Sequence, residues 1–151
     1  MRHLEQDQGS LCGLASFTVG CLGVVLDEDK RVLLVRTEYA GNRWHLPGGY
    51  VESRETPDNA LRREFIEELG IQIVISGFRG VYFKAYSNNL SLIFQCAIAA
   101  GTPKPDGHEV LDCGYFAADS YPASLSHRTR TVIERALASE RQPFVLTFRT
   151  P

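Results

Sequence analysis

Residues 49–71 read Gly49-Tyr50-Val51-Glu52-Ser53-Arg54-Glu55-Thr56-Pro57-Asp58-Asn59-Ala60-Leu61-Arg62-Arg63-Glu64-Phe65-Ile66-Glu67-Glu68-Leu69-Gly70-Ile71. The second half predicts a helix over Thr56–Leu69. Thr56 suits the N-cap, and Pro57 suits the first helical position, where a missing N–H costs nothing. Ala60, Leu61, Phe65, Ile66 and Leu69 recur at helical spacing, and Gly70 supplies the stop. Phe65 and Ile66 are expected to anchor the helix to a sheet, opposite a face of carboxylates. Glu64, Glu67 and Glu68 stand at i, i+3 and i+4, a spacing at which like charges repel. They also lie past the middle of the helix, away from the N-terminal end that favours negative charge. A bound cation offsets that repulsion, and an all-oxygen donor set suits Mg²⁺ or Mn²⁺.

The flanking residues fit the same purpose. Gly48-Gly49 lets the backbone approach a ligand closely and leaves a carbonyl to face a metal. Arg63 adjoins Glu64 and can fix a carboxylate by a bidentate contact, with Glu55 as partner. The segment resembles the Nudix box, G-x5-E-x7-R-E-U-x-E-E-x-G-U with U apolar, at each of its nine defined positions over 23 residues. Those positions are Gly49, Glu55, Arg63, Glu64, Phe65, Glu67, Glu68, Gly70 and Ile71. Trp44-His45-Leu46-Pro47-Gly48 is similar to the W-x-L-P-G lead-in of that family.

The resemblance implies an α/β/α sandwich with a mixed sheet over roughly residues 17–138. It also implies that Glu64, Glu67 and Glu68 coordinate divalent metal, helped by the Gly48 or Gly49 carbonyl. Glu64 is one candidate general base. Glu109, within Asp106-Gly107-His108-Glu109-Val110, is another, because some relatives carry an acidic base or ligand just before a late strand. Tyr86 falls near the place where some dinucleoside-polyphosphate hydrolases carry a tyrosine.

The remaining chain reads as strands with one more helix. Phe17–Leu26 is expected as a strand buried on both faces, returning through Asp27–Lys30 into Val32–Val35 as a hairpin. Glu38–Arg43 is a loop, Trp44–Leu46 is extended, and Pro47-Gly48-Gly49 interrupts regular structure. Further strands are expected at Ile71–Ile75, Gly80–Tyr86, Leu90–Ala99, Glu109–Phe116 and Phe144–Phe148. A turn falls at Asn88-Asn89, a loop at Gly101–Gly107 and a second helix at Arg128–Ala138. The order is α/β.

At 151 residues the chain has the length of one domain, with residues 1–16 expected as an arm and 17–151 as the hydrolase domain. Apolar residues make up 44% and charged residues 23%, an ordinary globular composition. A formal charge of -2 advertises no nucleic-acid partner. Gln8–Leu26 is uncharged, but glycines dilute it, and Glu5 and Asp7 precede it where a signal peptide is basic. The expected setting is therefore cytoplasmic, with no membrane partner and with Cys12, Cys21, Cys96 and Cys113 as reduced thiols.

Arg36 and Arg43 flank the loop before the box and can reach phosphates, while Trp44 and Tyr86 can stack a base. Lys84 and Arg79 are further cationic candidates. His127, Arg128 and Arg130 are assigned to the surface, and His45 to packing. The expected activity is hydrolysis of a phosphoanhydride in a nucleoside diphosphate linked to another moiety. The products are two phosphate-bearing fragments, or a monophosphate and pyrophosphate. The alternative is a catalytically silent nucleotide sensor. Homodimers are common among relatives.

Overall fold

The computed structural model describes residues 14–138 and 142–151. The chain forms β1 (Thr18–Val25), β2 (Val32–Thr37), β3 (Arg43–His45), β4 (Gly48–Tyr50), α1 (Pro57–Leu69), β5 (Gln72–Lys84) and a 3₁₀ turn (Ala85–Ser87). It continues through β6 (Asn89–Ala100), β7 (Val110–Phe116), α2 (His127–Ala138) and β8 (Phe144–Phe148). The strands make a mixed five-stranded sheet, β4-β1-β6-β5-β8, and a three-stranded sheet, β3-β2-β7. Most of the expected arm lies outside the described residues; Leu14 to Phe17 lead irregularly into β1.

Three expectations are corrected. β1 and β2 are not a hairpin: they join different sheets and meet only at the Leu26–Val32 bridge. The Asp27 carboxylate holds the connection by accepting the Asp29 and Arg31 N–H groups, so a hairpin-like turn joins the two layers. The separate strands expected at 71–75 and 80–86 are one strand, β5, which runs beside β6 through register shifts at Ile75/Gly77 and Phe78/Gly80. The extra residues bend it, which is how bulges let a long strand wrap a core. Gly48-Gly49 does not interrupt regular structure but pairs antiparallel with β1, opposite Leu22 and Cys21.

Two cores flank the large sheet. One gathers α1 through Ala60, Leu61, Phe65 and Leu69 against Cys21, Val25 and Ile73. The other gathers α2 through Val132, Ile133 and Ala136 against Val24, Tyr82 and Ile93. β1 serves both, which accounts for its unbroken apolar run.

The Thr56 side chain makes no capping bond to the helix, although the residue occupies the N-cap. At the other end Gly70 is left-handed, and the Gly70 and Ile71 N–H groups donate to Ile66 and Phe65 carbonyls in a Schellman stop. Ile66 is 53% exposed and does not anchor the helix. At about 100° per residue, the buried arc runs Ala60, Glu64, Glu68, Leu61, Phe65, Leu69, and Ile66 falls roughly 60° beyond it. The carboxylates Glu64 and Glu68 thus enter the buried arc, rather than forming a face opposite to it.

Gly23 lets the Phe65 ring lie directly on β1: a Cβ there would stand 2.7 Å from two ring atoms. We expect Gly23→Ala to cost about 1–3 kcal/mol. In a Phe65→Leu background the same change should cost measurably less, as a double-mutant cycle by urea denaturation will read. Equal costs in both backgrounds would show that the ring is not the obstacle.

Candidate active site

The box brings α1 to the edge strand β4. The Gly48 N–H, which has no strand beyond β4 to pair with, donates to Glu68 Oε2 at 2.9 Å. Gly48 adopts φ 128, and a Cβ there would collide with the Cys21 carbonyl, so the close approach requires glycine. A Cβ on Gly49 would strike the Glu64 carboxylate, so this glycine keeps Glu64 against the backbone.

Arg63 is the hub of the exposed side. Its Nε and Nη2 donate to the two Glu55 oxygens, each at 2.9 Å, in the expected bidentate grip. Its Nη1 donates to Glu64 Oε1 at 3.0 Å and Glu67 Oε2 at 3.1 Å, and Nη2 also reaches the Tyr50 carbonyl. Glu55 is itself fixed by the Glu52 N–H. The bond from Arg63 holds the Glu55 carboxyl below the usual range.

The three glutamates have different surroundings. Glu68 is 2% exposed, and burial pushes its carboxyl up to about 8. The Gly48 N–H opposes that shift, and the charges of Glu64, Glu109 and Asp106 add to it. Glu64 is half-buried and is raised by desolvation, against the pull of Arg63. The Glu67 side chain is 58% exposed.

The loop before β7 closes this end. The Lys104 and Asp106 N–H groups donate to the free C-terminal carbonyls of α1, Leu69 and Glu68. The Asp106 carboxylate accepts the N–H groups of His108, Glu109 and Val110. Despite some desolvation, those bonds keep it below the usual range. This brace holds Glu109, which is exposed, where its charge acts on Glu64, Glu68 and Tyr39. Asp106 and Tyr39 were not singled out from sequence. The Asp106-Gly107 pair, a turn signal, was what the sequence offered for the first.

A cleft of about 360 Å³ starts at Gly48, Gly49 and Tyr50 and continues to Tyr86 and Arg128. Arg43, Trp44 and Tyr86 line it as expected, but Arg36 does not. Arg36 pairs with Asp112 at 3.6 Å and lies over the Trp44 ring. His45 also reaches the cleft, with Nε2 on the Thr37 hydroxyl at 2.8 Å and Nδ1 on the Leu46 carbonyl at 2.9 Å. Burial holds His45 below the usual imidazole range. Cys21, Cys96 and Cys113 are free thiols. Cys12 lies outside the described residues.

The Nudix domain profile matches residues 16–136. This chain belongs to the Nudix family. The Nudix chain is 37% identical over 87 residues to a MutT-like protein of Streptomyces ambofaciens, covering 58% of this chain and 56% of that one. It is 33% identical over 106 residues to the Bacillus subtilis (strain 168) protein named "Putative 8-oxo-dGTP diphosphatase", covering 70% of each. The first match therefore spans little more than half of its relative's length. A Nudix hydrolase from Nitrosomonas europaea superposes with a TM-score of 0.77 over 90% of this chain and 81% of that chain, at 20% identity, a likeness of fold. Among the described residues, no helix is long and apolar enough to cross a membrane.

A carboxyl raised by burial favours the folded state when protonated, so its contribution is lost as pH rises. In chelator, the shift of Glu68 from an ordinary 4.5 to about 8 should lower folding stability across that interval. The loss is on the order of a few kcal/mol. Glu68→Gln should flatten that slope, as urea denaturation at pH 5 and pH 8 will show. An unchanged pH dependence would mean that Glu68 is not the group responsible.

Proposed function

We propose that this Nudix chain is a metal-dependent pyrophosphohydrolase cutting a phosphoanhydride in a nucleoside diphosphate linked to another moiety. The observation that carries the reading is the set of Glu64, Glu67 and Glu68 brought by α1 to the Gly48-Gly49 strand at the mouth of the cleft.

The donor chemistry fits Mg²⁺ or Mn²⁺: three carboxylates and the backbone oxygens of Gly48 or Gly49, all hard ligands. Among the described residues, no three acidic, histidine or cysteine side chains are already drawn into a metal cage. Arg63 holds Glu64 and Glu67 through one nitrogen, and Gly48 holds Glu68. Divalent metal held by these residues supplies charge neutralisation on the phosphates and a lowered pKa for bound water.

The rest belongs to the chain's own groups. Arg63 keeps Glu64 and Glu67 in register, and its bidentate hold on Glu55 stops it from turning away. Gly48 orients Glu68. Glu109 is the better placed general base, because Glu64 is bonded by Arg63, whereas Glu109 has no cationic side-chain partner among the described residues. Arg43 and Trp44 in the cleft bind the nucleotide part, and the partner is a small molecule.

The test is hydrolysis of a nucleotide panel with Mg²⁺ and with Mn²⁺, products separated by chromatography. We expect Glu67→Gln and Glu68→Gln each to lower turnover by orders of magnitude, and chelator to abolish it. Glu109→Gln should lose about 10²–10⁴-fold in kcat, the usual worth of a positioned base. Wild-type rates in both box variants would remove the metal-site assignment. Nucleotide binding without metal-dependent hydrolysis would favour a silent sensor.

A further inference from the structure

The cleft has a charge of its own. Arg43, Lys84 and Arg128 line it, and no Asp or Glu side chain does, among the described residues. The chain as a whole has 18 acidic against 16 basic residues, so the absence of acid from this surface is a local feature. None of the three cations enters an ion pair among the described residues; those pairs lie elsewhere.

Two of the cations stand far from the carboxylate end. β4 is separated from β5 by β1 and β6. Three spacings of about 4.8 Å put β5 roughly 14 Å across the sheet from β4, and by register Lys84 stands level with Thr18, along the sheet from Gly20 and Leu22, the partners of Tyr50 and Gly48. The Lys84 Nζ lies 5.5 Å from the ring centroid of Tyr82, a neighbour on its own strand. Arg128 is placed by the start of α2, where the Ser126 hydroxyl accepts the Thr129 N–H at 3.0 Å. Its Nη1 donates to the Tyr86 hydroxyl at 2.7 Å and its guanidinium lies over the Tyr86 ring. One face of that guanidinium is thus stacked, and Nη2 and Nε have no hydrogen-bond partner among the described residues. A diphosphate held at β4 by the box glutamates is three strand positions away from the strand that carries Lys84.

We propose that Lys84, over Tyr82, and Arg128, over Tyr86, form a second anion subsite at the β5–α2 end of the cleft. Resting on the functional reading above, the substrate is then a diphosphate whose bound moiety carries a further phosphate remote from the scissile bond. Between the two ends the cleft has a low polar floor. Gly20 leaves room above Ser91, whose hydroxyl donates to Asn89, and the aromatic walls Trp44 and Tyr82 flank it. A flat group fits between two anions there.

The experiment is calorimetric binding in chelator, so that neither metal nor turnover enters and failure of the enzymatic reading stays distinguishable. The probes are adenosine 5′-monophosphate and adenosine 3′,5′-bisphosphate with the full chain. The bisphosphate is expected to bind tighter by on the order of tenfold or more, the worth of one charge-assisted contact. That advantage should vanish in Lys84→Gln/Arg128→Gln, survive in part in Lys84→Arg/Arg128→Lys, and persist in Asp58→Asn, outside the cleft. A bisphosphate that binds no tighter than the monophosphate, or an advantage that survives the double Gln substitution, overturns the proposal.

Discussion

The Glu68 carboxylate, buried and bonded to the Gly48 N–H, is the constraint on which the site depends. Desolvating a carboxylate costs several kcal/mol, and one backbone N–H recovers only part of that. The structure meets the cost with the shape of its surroundings: an edge strand whose outward N–H has no other partner, and a glycine at φ 128. Every other contact at this end follows. With α1 pinned to β4 through Glu68, Glu64 must lie against Gly49, and Arg63 must face the Glu52–Glu55 turn. The loop of Asp106 then docks on the last carbonyls of the same helix.

The helix and the grouping of its carboxylates with Arg63 were legible because both depend on short-range spacing. Thr56, Pro57 and Gly70 mark the ends, and the glutamate triplet with Arg63 and Glu55 states an electrostatic problem that one helix turn can pose. The misreadings share a cause. Ile66 is apolar and sits beside Phe65, but the buried arc includes two glutamates in the place that a hydrophobicity pattern assigns to aliphatic residues. The hairpin of β1 and β2 was a sound local inference from Asp27–Lys30, and the partition of the strands between two sheets overrides it. No local pattern distinguishes those outcomes, because they are decided by β6 and β7, many residues downstream.

The cleft shows the same limit. Arg43 and Trp44 lie next to the box in sequence and were found from it. Arg128 looks like any basic residue opening a helix, and it reaches the cleft only because β5 and α2 are neighbours in space. Arg36 is the converse case: close to the box in sequence, but on β2, where it is turned to Asp112. The charge contrast between the acidic edge at β4 and the basic far end emerges only when residues separated by about half the chain are brought together.

We propose one divalent-cation site, built by α1 and β4 around Glu68. The most direct measurement is Mn²⁺ binding by electron paramagnetic resonance, in which the free-ion signal falls as the protein takes up metal. Saturable binding that disappears in Glu68→Gln and is retained in Asp58→Asn, an acid on the same helix outside the site, is the result expected. Equal Mn²⁺ uptake by wild type and Glu68→Gln would place the cation elsewhere.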